Sequence, residues 1–150
     1  MESRLPMQLP RGLRNNNAGN IRKSSTRYLG EVRPSSDKAF KQFETRGWGY
    51  RAIFVLLESY SKRGFKTLRQ MINRYAPPIE NNTNGYINRL CTLAHIEPHS
   101  RVNTADHDKM VAIVAAISTI ENGVKADMDA VERGWQLFKK DYISLNANKA

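Results

Sequence analysis

Apolar residues recur at helical spacing along most of the chain and predict about five helices. The strongest in the first half carries Ala52, Ile53, Leu56, Leu57 and Tyr60 on one face. Caps and breakers give the approximate limits of the five helices as 50–63, 68–75, 84–94, 104–122 and 127–142. The fourth is apolar nearly all round, which predicts the central buried helix.

Two short segments before the first long helix alternate apolar and polar residues instead. Residues 28–32 and 39–43 flank a turn-rich stretch at 33–37, a pattern typical of a small β-hairpin. The prediction is a mainly α protein (α+β), with five helices and one strand pair.

The stretch 11–22, Arg-Gly-Leu-Arg-Asn-Asn-Asn-Ala-Gly-Asn-Ile-Arg, fits neither pattern. Asn side chains bond their own backbone in turns, and Asn and Gly both tolerate left-handed backbone angles. The stretch therefore predicts a tightly folded loop between the apolar anchors Leu13 and Ile21. Such a loop could present amides and guanidinium groups to a sugar-containing acidic polymer, or it could be a solvated turn.

Charge is distributed unevenly along the 150 residues, whose net charge is +10. Residues 1–75 hold 16 Lys/Arg against 5 Asp/Glu, whereas residues 76–150 hold 8 against 9. A basic face of this kind attracts anionic polymers such as nucleic acid, anionic lipid surfaces or bacterial cell wall.

Several classes of protein and site are not indicated. The longest apolar run, 52–57, is too short for a membrane span, and no signal segment follows the first charges. Cys91 is alone, which excludes an internal disulfide and suggests core packing. The three histidines lack zinc-site spacing and the glycines form no phosphate-binding fingerprint, so no metal or cofactor is predicted.

The loop at 11–22, together with the blocks Gly-Trp-Gly-Tyr-Arg-Ala at 47–52 and Arg-Tyr-Ala-Pro-Pro-Ile-Glu-Asn-Asn-Thr at 74–83, resembles a family of small virion ("structural") proteins of tailed bacteriophages and prophages. The resemblance covers about residues 11–95. This sequence departs from the family pattern at Ala18, where the family commonly has Pro, and at Tyr75, where Trp is commoner. The resemblance implies a phage protein located in the virion or in the host cytoplasm before lysis.

A weaker resemblance is to lysozyme-like glucosaminidases. The order of the Asn loop, Tyr28-Leu29-Gly30, the segment 40–43 and a helix from Tyr50 to Tyr60 is similar to their small lobe. It implies a single lysozyme-like domain over 11–145, between an arm at 1–10 and a frayed tail at 146–150. The departure is that those enzymes have their general-acid glutamate on a helix before the loop, where this chain has only Glu2.

Glycoside cleavage usually needs one carboxylic acid as proton donor and a second carboxylate as nucleophile or base. Glu80 follows Pro-Pro-Ile in one of the phage-like blocks, Glu31 lies in the predicted hairpin, and Glu58 lies on the first long helix. Each also has a structural interpretation, which for Glu58 is an i,i+4 pair with Lys62. We predict Glu80 and Glu31 as the catalytic pair.

The predicted substrate-binding residues come from the loop, from the start of the first long helix and from the segment after Glu80. Trp48 and Tyr50 could stack on a sugar ring, although a Trp at the start of a core helix often only packs. The set comprises Arg14, Asn15, Asn16, Asn17, Asn20, Arg22, Trp48, Tyr50, Asn82 and Thr83.

These observations favour a phage-associated peptidoglycan hydrolase or lytic transglycosylase, acting at the cell wall with peptidoglycan as partner. A non-enzymatic virion or cell-wall-binding protein, in contact with other virion proteins, is the alternative. Nucleic-acid binding has only the charge in its favour, because no nucleic-acid-binding motif accompanies it.

Overall fold

The protein consists of six helices and one strand pair within residues 8–149, the part of the chain that the computed structural model describes; side chains are described for residues 8–141. The helices are α1 (Arg11–Arg14), α2 (Arg46–Lys62), α3 (Leu68–Tyr75), α4 (Thr83–Ala94), α5 (His107–Asn122) and α6 (Met128–Lys149). The strands are β1 (Glu31–Val32) and β2 (Gln42–Phe43). The predicted mainly α class with a small hairpin is confirmed.

The strand pair is antiparallel, with Glu31 opposite Phe43 and Val32 opposite Gln42. Both strands are shorter than the sequence predicts. Beyond the strand ends, hydrogen bonds from side chains take the place of backbone pairing between strands. For example, Asp37 Oδ1 accepts hydrogen bonds from the backbone amides of Ala39 and Phe40. An isolated bridge between Arg22 and Phe40 ties the end of the Asn-rich loop to the same segment.

Side-chain caps fix where the helices begin. Thr45 caps α2, Asn82 caps α4, and Thr67 forms a capping box with Gln70 at the start of α3. Helix α5 is capped by Asp106, later than predicted, because the hydroxyl of Thr104 bonds Glu58 instead. It ends as predicted, with Gly123 in the left-handed conformation (φ 72°).

Helices α2 and α6 pack closely against each other at the centre of the fold. A Cβ atom on Gly134 would lie 2.6 Å from Tyr50 Cβ and 2.8 Å from the backbone nitrogen of Arg51, so only glycine allows this approach. Helix α2 also packs on α3, α5 and β2, and α5 packs on α4 and α6. Thus α2 and α5 both lie at the centre of the fold, a position that the sequence predicts for α5.

The ends of the chain fall partly outside this description. Residues 1–7 of the predicted arm and residue 150 of the predicted tail lie outside the described residues. The last helix runs to Lys149, beyond its predicted end near residue 142. Among the described residues, no helix is both long enough and apolar enough to cross a membrane.

Candidate functional site

The Asn-rich loop is held together by its own side chains. The amide of Asn17 is fully buried: its Nδ2 donates to the carbonyls of Ile21 (3.0 Å) and Lys41 (2.9 Å), and its Oδ1 accepts from the Ile21 amide (2.9 Å). Asn16 and Asn20 adopt left-handed backbone angles, φ 51° and 49°. The sequence is therefore Asn-rich mainly because the turn needs these residues for folding.

The loop is also braced against the hairpin segment. Asp37 accepts hydrogen bonds from Asn15 Nδ2 (3.0 Å) and from the Arg11 guanidinium (2.7 Å). The Arg11 bond, the backbone amides and Asn15 together hold the pKa of the Asp37 carboxyl well below its ordinary value. Neither Asn15 nor Asn17 remains available to a ligand.

One end of the loop lines a cleft of about 430 Å³ between the loop, helices α2 and α3, the α3–α4 connection and the end of α5. This volume is within the range of small-molecule binding sites, about 300–1,000 Å³. Its lining includes polar and aromatic side chains, namely Asn20, Arg22, Phe40, Tyr60, Arg74, Tyr75, Glu80, Asn81 and Glu121.

Glu121, the penultimate residue of α5, is a cleft carboxylate that the sequence interpretation missed. Its Oε1 accepts a hydrogen bond from Asn20 Nδ2 (2.9 Å), and its Oε2 accepts one from the Tyr86 hydroxyl (2.9 Å). Among the described residues no Lys or Arg forms an ion pair with it. The carboxylate is therefore oriented by two neutral donors at the edge of the cleft.

Glu80, predicted from the sequence, lines the same cleft on the α3–α4 connection. Its Oε1 lies 3.1 Å from Arg22 Nη2, and both side chains are exposed, by 43% and 58%. The structure thus brings Glu80 together with Asn20 and Arg22 of the loop.

Tyrosines form one side of the cleft. The Tyr75 hydroxyl donates to the carbonyl of Gly19 (2.5 Å), which fixes the loop to the end of α3. Burial raises the pKa of Tyr60 to about 12 and raises that of Tyr75 and Tyr86 as well. All three hydroxyls therefore stay protonated near neutral pH, and those of Tyr75 and Tyr86 donate to the Gly19 carbonyl and to Glu121.

Glu31 does not lie in this cleft. It lines a separate hollow with Arg27, Tyr28 and Arg33, and its carboxylate pairs with the fully buried Lys41 Nζ (3.1 Å). Burial by itself would raise the pKa of Glu31, but bonds from Arg33, the Tyr28 amide and Lys41 lower it overall. The structure separates the predicted catalytic pair and gives Glu31 the surroundings of a structural ion pair.

Other predicted binding residues have structural contacts as well. Tyr50 is fully buried and bonds Ser118 (2.7 Å), so it cannot stack on a sugar. Trp48 is partly buried against Gly30. Asn82 caps α4, and the buried Thr83 hydroxyl donates to the Ala76 carbonyl (2.6 Å).

Two of the predicted loop residues point elsewhere. Asn16 Nδ2 donates to the carbonyls of Phe43 (3.2 Å) and Glu44. Arg14 is exposed and donates to the carbonyl of Leu9 (2.8 Å), outside the cleft lining. Of the twelve predicted site residues, the cleft keeps Glu80, Asn20 and Arg22.

Within residues 8–141, no group of three His, Cys, Asp or Glu side chains is placed to hold a metal ion. The chemistry available in the cleft is that of carboxylates, amides, guanidinium groups and tyrosine hydroxyls.

Comparison with known proteins relates the chain to a phage protein. No protein-family pattern matches the sequence. Protein P5 of Pseudoalteromonas phage PM2 is 32% identical over 131 residues, which cover 84% of this chain and 80% of that protein. This chain belongs to the Protein P5 family. Membership in this family confirms the phage origin that the resemblance over residues 11–95 implies. The name Protein P5 states no activity.

Proposed function

We propose that this member of the Protein P5 family is a peptidoglycan-cleaving glycosidase that uses Glu80 and Glu121. The main support is the cleft that brings these two carboxylates together with Asn20 and Arg22 of the loop. Cleavage of a glycosidic bond by most glycosidases needs a pair of carboxyl groups on one substrate site. In this proposal Glu121 takes the place that the sequence interpretation gives to Glu31.

The surroundings of the two carboxylates suggest different roles. Arg22 beside Glu80 stabilises an anion, which suits a nucleophile or a water-activating base. Glu121 has no Lys or Arg paired with it among the described residues and is oriented by the neutral donors Asn20 and Tyr86, so of the two carboxylates we assign it the delivery of a proton to the leaving oxygen. The basic first half of the chain would draw the protein to an anionic cell wall.

The first test measures cell-wall cleavage by single variants. Glu80→Gln and Glu121→Gln should each lower the release of reducing sugar from purified sacculi by about a hundredfold or more, as expected for removal of general acid–base catalysis. Glu97→Gln is the matched control, since Glu97 is exposed and lies outside the cleft lining. Full activity in both cleft variants would exclude this site.

Analysis of the products separates the two reaction types. A hydrolase leaves a free reducing end on each new strand, whereas a lytic transglycosylase leaves an internal anhydro ring. Mass spectrometry of the released fragments distinguishes these ends by the mass of one water.

A second function, binding to cell wall or to other virion proteins without cleavage, is favoured by one observation. The net charge of +10 attracts an anionic cell wall whether or not the protein cleaves it. Sedimentation with sacculi by the unmodified protein, without any released fragment, would support this function over the enzymatic one. In either case the proposed place of action is the bacterial cell wall, reached from the virion or from inside the infected cell.

A further inference from the structure

Arg22 lines the cleft, and its side-chain contacts among residues 8–141 are with Glu80 and the ring of Phe40. A guanidinium has five N–H donors, and the ion pair with Glu80 Oε1 (3.1 Å) engages Nη2. The Cζ atom of Arg22 also lies 5.2 Å from the centre of the Phe40 ring. This cation–π contact restricts the orientation of the guanidinium group. The side chain remains 58% exposed, so an anion from solvent can reach it.

The pair between Arg22 and Glu80 is easily exchanged. Both partners are well exposed, and exposed ion pairs contribute little free energy because water and salt screen them. A carboxylate that approaches Arg22 in the plane of the guanidinium can form two parallel hydrogen bonds in place of the single contact to Glu80.

We propose that Arg22 recognises a carboxylate of the glycan substrate, and that this carboxylate displaces Glu80 from Arg22. The inference rests on the proposed function, because it names the substrate group that the same cleft selects. Peptidoglycan strands carry acidic peptide side chains, whereas neutral glycans such as chitin do not. An acidic glycan would therefore bind at Arg22, and the positive charge of Arg22 would stay beside Glu80 while their direct contact is exchanged for one with the substrate.

Two other arginines, Arg74 and Arg14, do not share this arrangement. The guanidinium of Arg74, which also lines the cleft, lies 4.9 Å from the centre of the Phe65 ring. Arg14 belongs to the same loop but bonds the Leu9 carbonyl outside the cleft lining. Arg14 is thus a suitable control for Arg22, because both are exposed arginines of the same loop.

The test measures binding in a Glu121→Gln background, which prevents turnover under the proposed function. The ligands are soluble peptidoglycan oligosaccharides with free peptide carboxylates and the same oligosaccharides with those groups capped as amides. The acidic form should bind about tenfold more tightly, as a charge-assisted bidentate contact allows. Arg22→Gln should abolish this preference by weakening the acidic form alone, whereas Arg14→Gln should keep it.

A second variant tests the displacement itself. Glu80→Gln removes the internal competitor for Arg22, so it should tighten binding of the acidic oligosaccharide and leave the amidated one unchanged. Weaker binding of the acidic form by this variant would overturn the displacement step.

The failures are distinguishable. Equal binding of the two oligosaccharides by the Glu121→Gln protein, or an equal loss of both in Arg22→Gln, overturns the role of Arg22 and leaves the proposed function standing. Binding of neither oligosaccharide overturns both.

Discussion

The side-chain amide of Asn20 lies 2.9 Å from the carboxylate of Glu121, although 101 positions separate the two residues in the chain. Asn20 lies near the end of the tightly folded loop, and Glu121 is the penultimate residue of helix α5. This hydrogen bond therefore connects the two parts of the molecule whose side chains meet in the cleft.

Replacement of Asn20 by Gly, which tolerates the left-handed backbone angle at this position, should lower cell-wall cleavage more than it lowers stability. Asn20 is one of two donors that orient Glu121, and a misplaced catalytic group loses up to about a hundredfold in rate. We expect kcat to fall by about tenfold or more and KM to change little. The measurement is a kinetic comparison with Asn81→Ala, another cleft residue, with thermal unfolding as the control for folding. A fall in melting temperature without a fall in kcat would contradict the positioning role.

Lys41→Met should strongly destabilise the hairpin. Lys41 is fully buried, and its Nζ bonds both oxygens of Glu31 and the carbonyl of Thr26. Removal of Lys41 leaves the buried Glu31 carboxylate with Arg33 as its remaining cationic partner, so the cost should lie near the lower end of the about 3–5 kcal/mol typical of a broken buried ion pair. Urea unfolding measures the loss of free energy.

The matched control is Lys38→Met, because Lys38 is exposed and an exposed substitution changes stability by about 0.5 kcal/mol or less. The double variant Lys41→Met with Glu31→Leu should recover part of the loss. No recovery would mean that Lys41 acts through packing and not through its charge.

His107 should make stability depend on pH. Hydrogen bonds to Glu132 and Asp108, both 2.7 Å long, raise the pKa of His107 above its ordinary value of 6.5. A raised pKa in the folded state stabilises the protein fully below about 6.5, and this contribution is lost as pH rises through the raised value. Because the imidazole is 44% exposed, the effect should be at most about 1 kcal/mol.

The measurement compares the melting temperatures of the native protein and His107→Gln at about pH 5 and about pH 9. The difference between the two proteins should be larger at the lower pH. His99→Gln, at another exposed histidine, is the control. An equal difference at both pH values would show that His107 contributes only its packing on Trp135.

Gly134→Ala should destabilise the protein although alanine favours helices by about 1 kcal/mol over glycine. The added Cβ would meet Tyr50 Cβ at 2.6 Å, so α2 and α6 would have to separate. Overpacking of this kind costs about 1–3 kcal/mol. Calorimetry provides the measurement, with Asn88→Ala as control because Asn88 is an exposed residue of helix α4. A loss in Gly134→Ala no larger than in Asn88→Ala would contradict this account of the helix contact.

The helices could be predicted from the sequence because their signals are local. Thr67 with Gln70, Asn122 with Gly123, and the apolar stripe of α2 each lie within a few residues of the structure they determine. The sequence places the start of α5 too early, because Thr104 and Asp106 are both typical helix-capping residues. Contact with Glu58, 46 positions away, decides between them.

The site could be predicted only in part, because contacts between distant parts of the chain bring its residues together. Glu80 lies in a recognisable block, and Asn20 and Arg22 lie in the loop that attracts attention by composition. Glu121 looks like an ordinary surface acid at a helix end, and no local pattern connects it with Asn20. Glu31 attracts attention because it lies in the hairpin, yet the nearby Arg33 and Lys41 become its ion-pair partners only when the hairpin forms.

The distance along the chain between Asn20 and Glu121 has a consequence during synthesis. A ribosome makes the Asn-rich loop early and residue 121 late, and folding tends to proceed from the amino terminus. A nascent chain that has not yet released α5 lacks one of the two cleft carboxylates. A partly synthesised copy of the protein therefore cannot have a complete cleft.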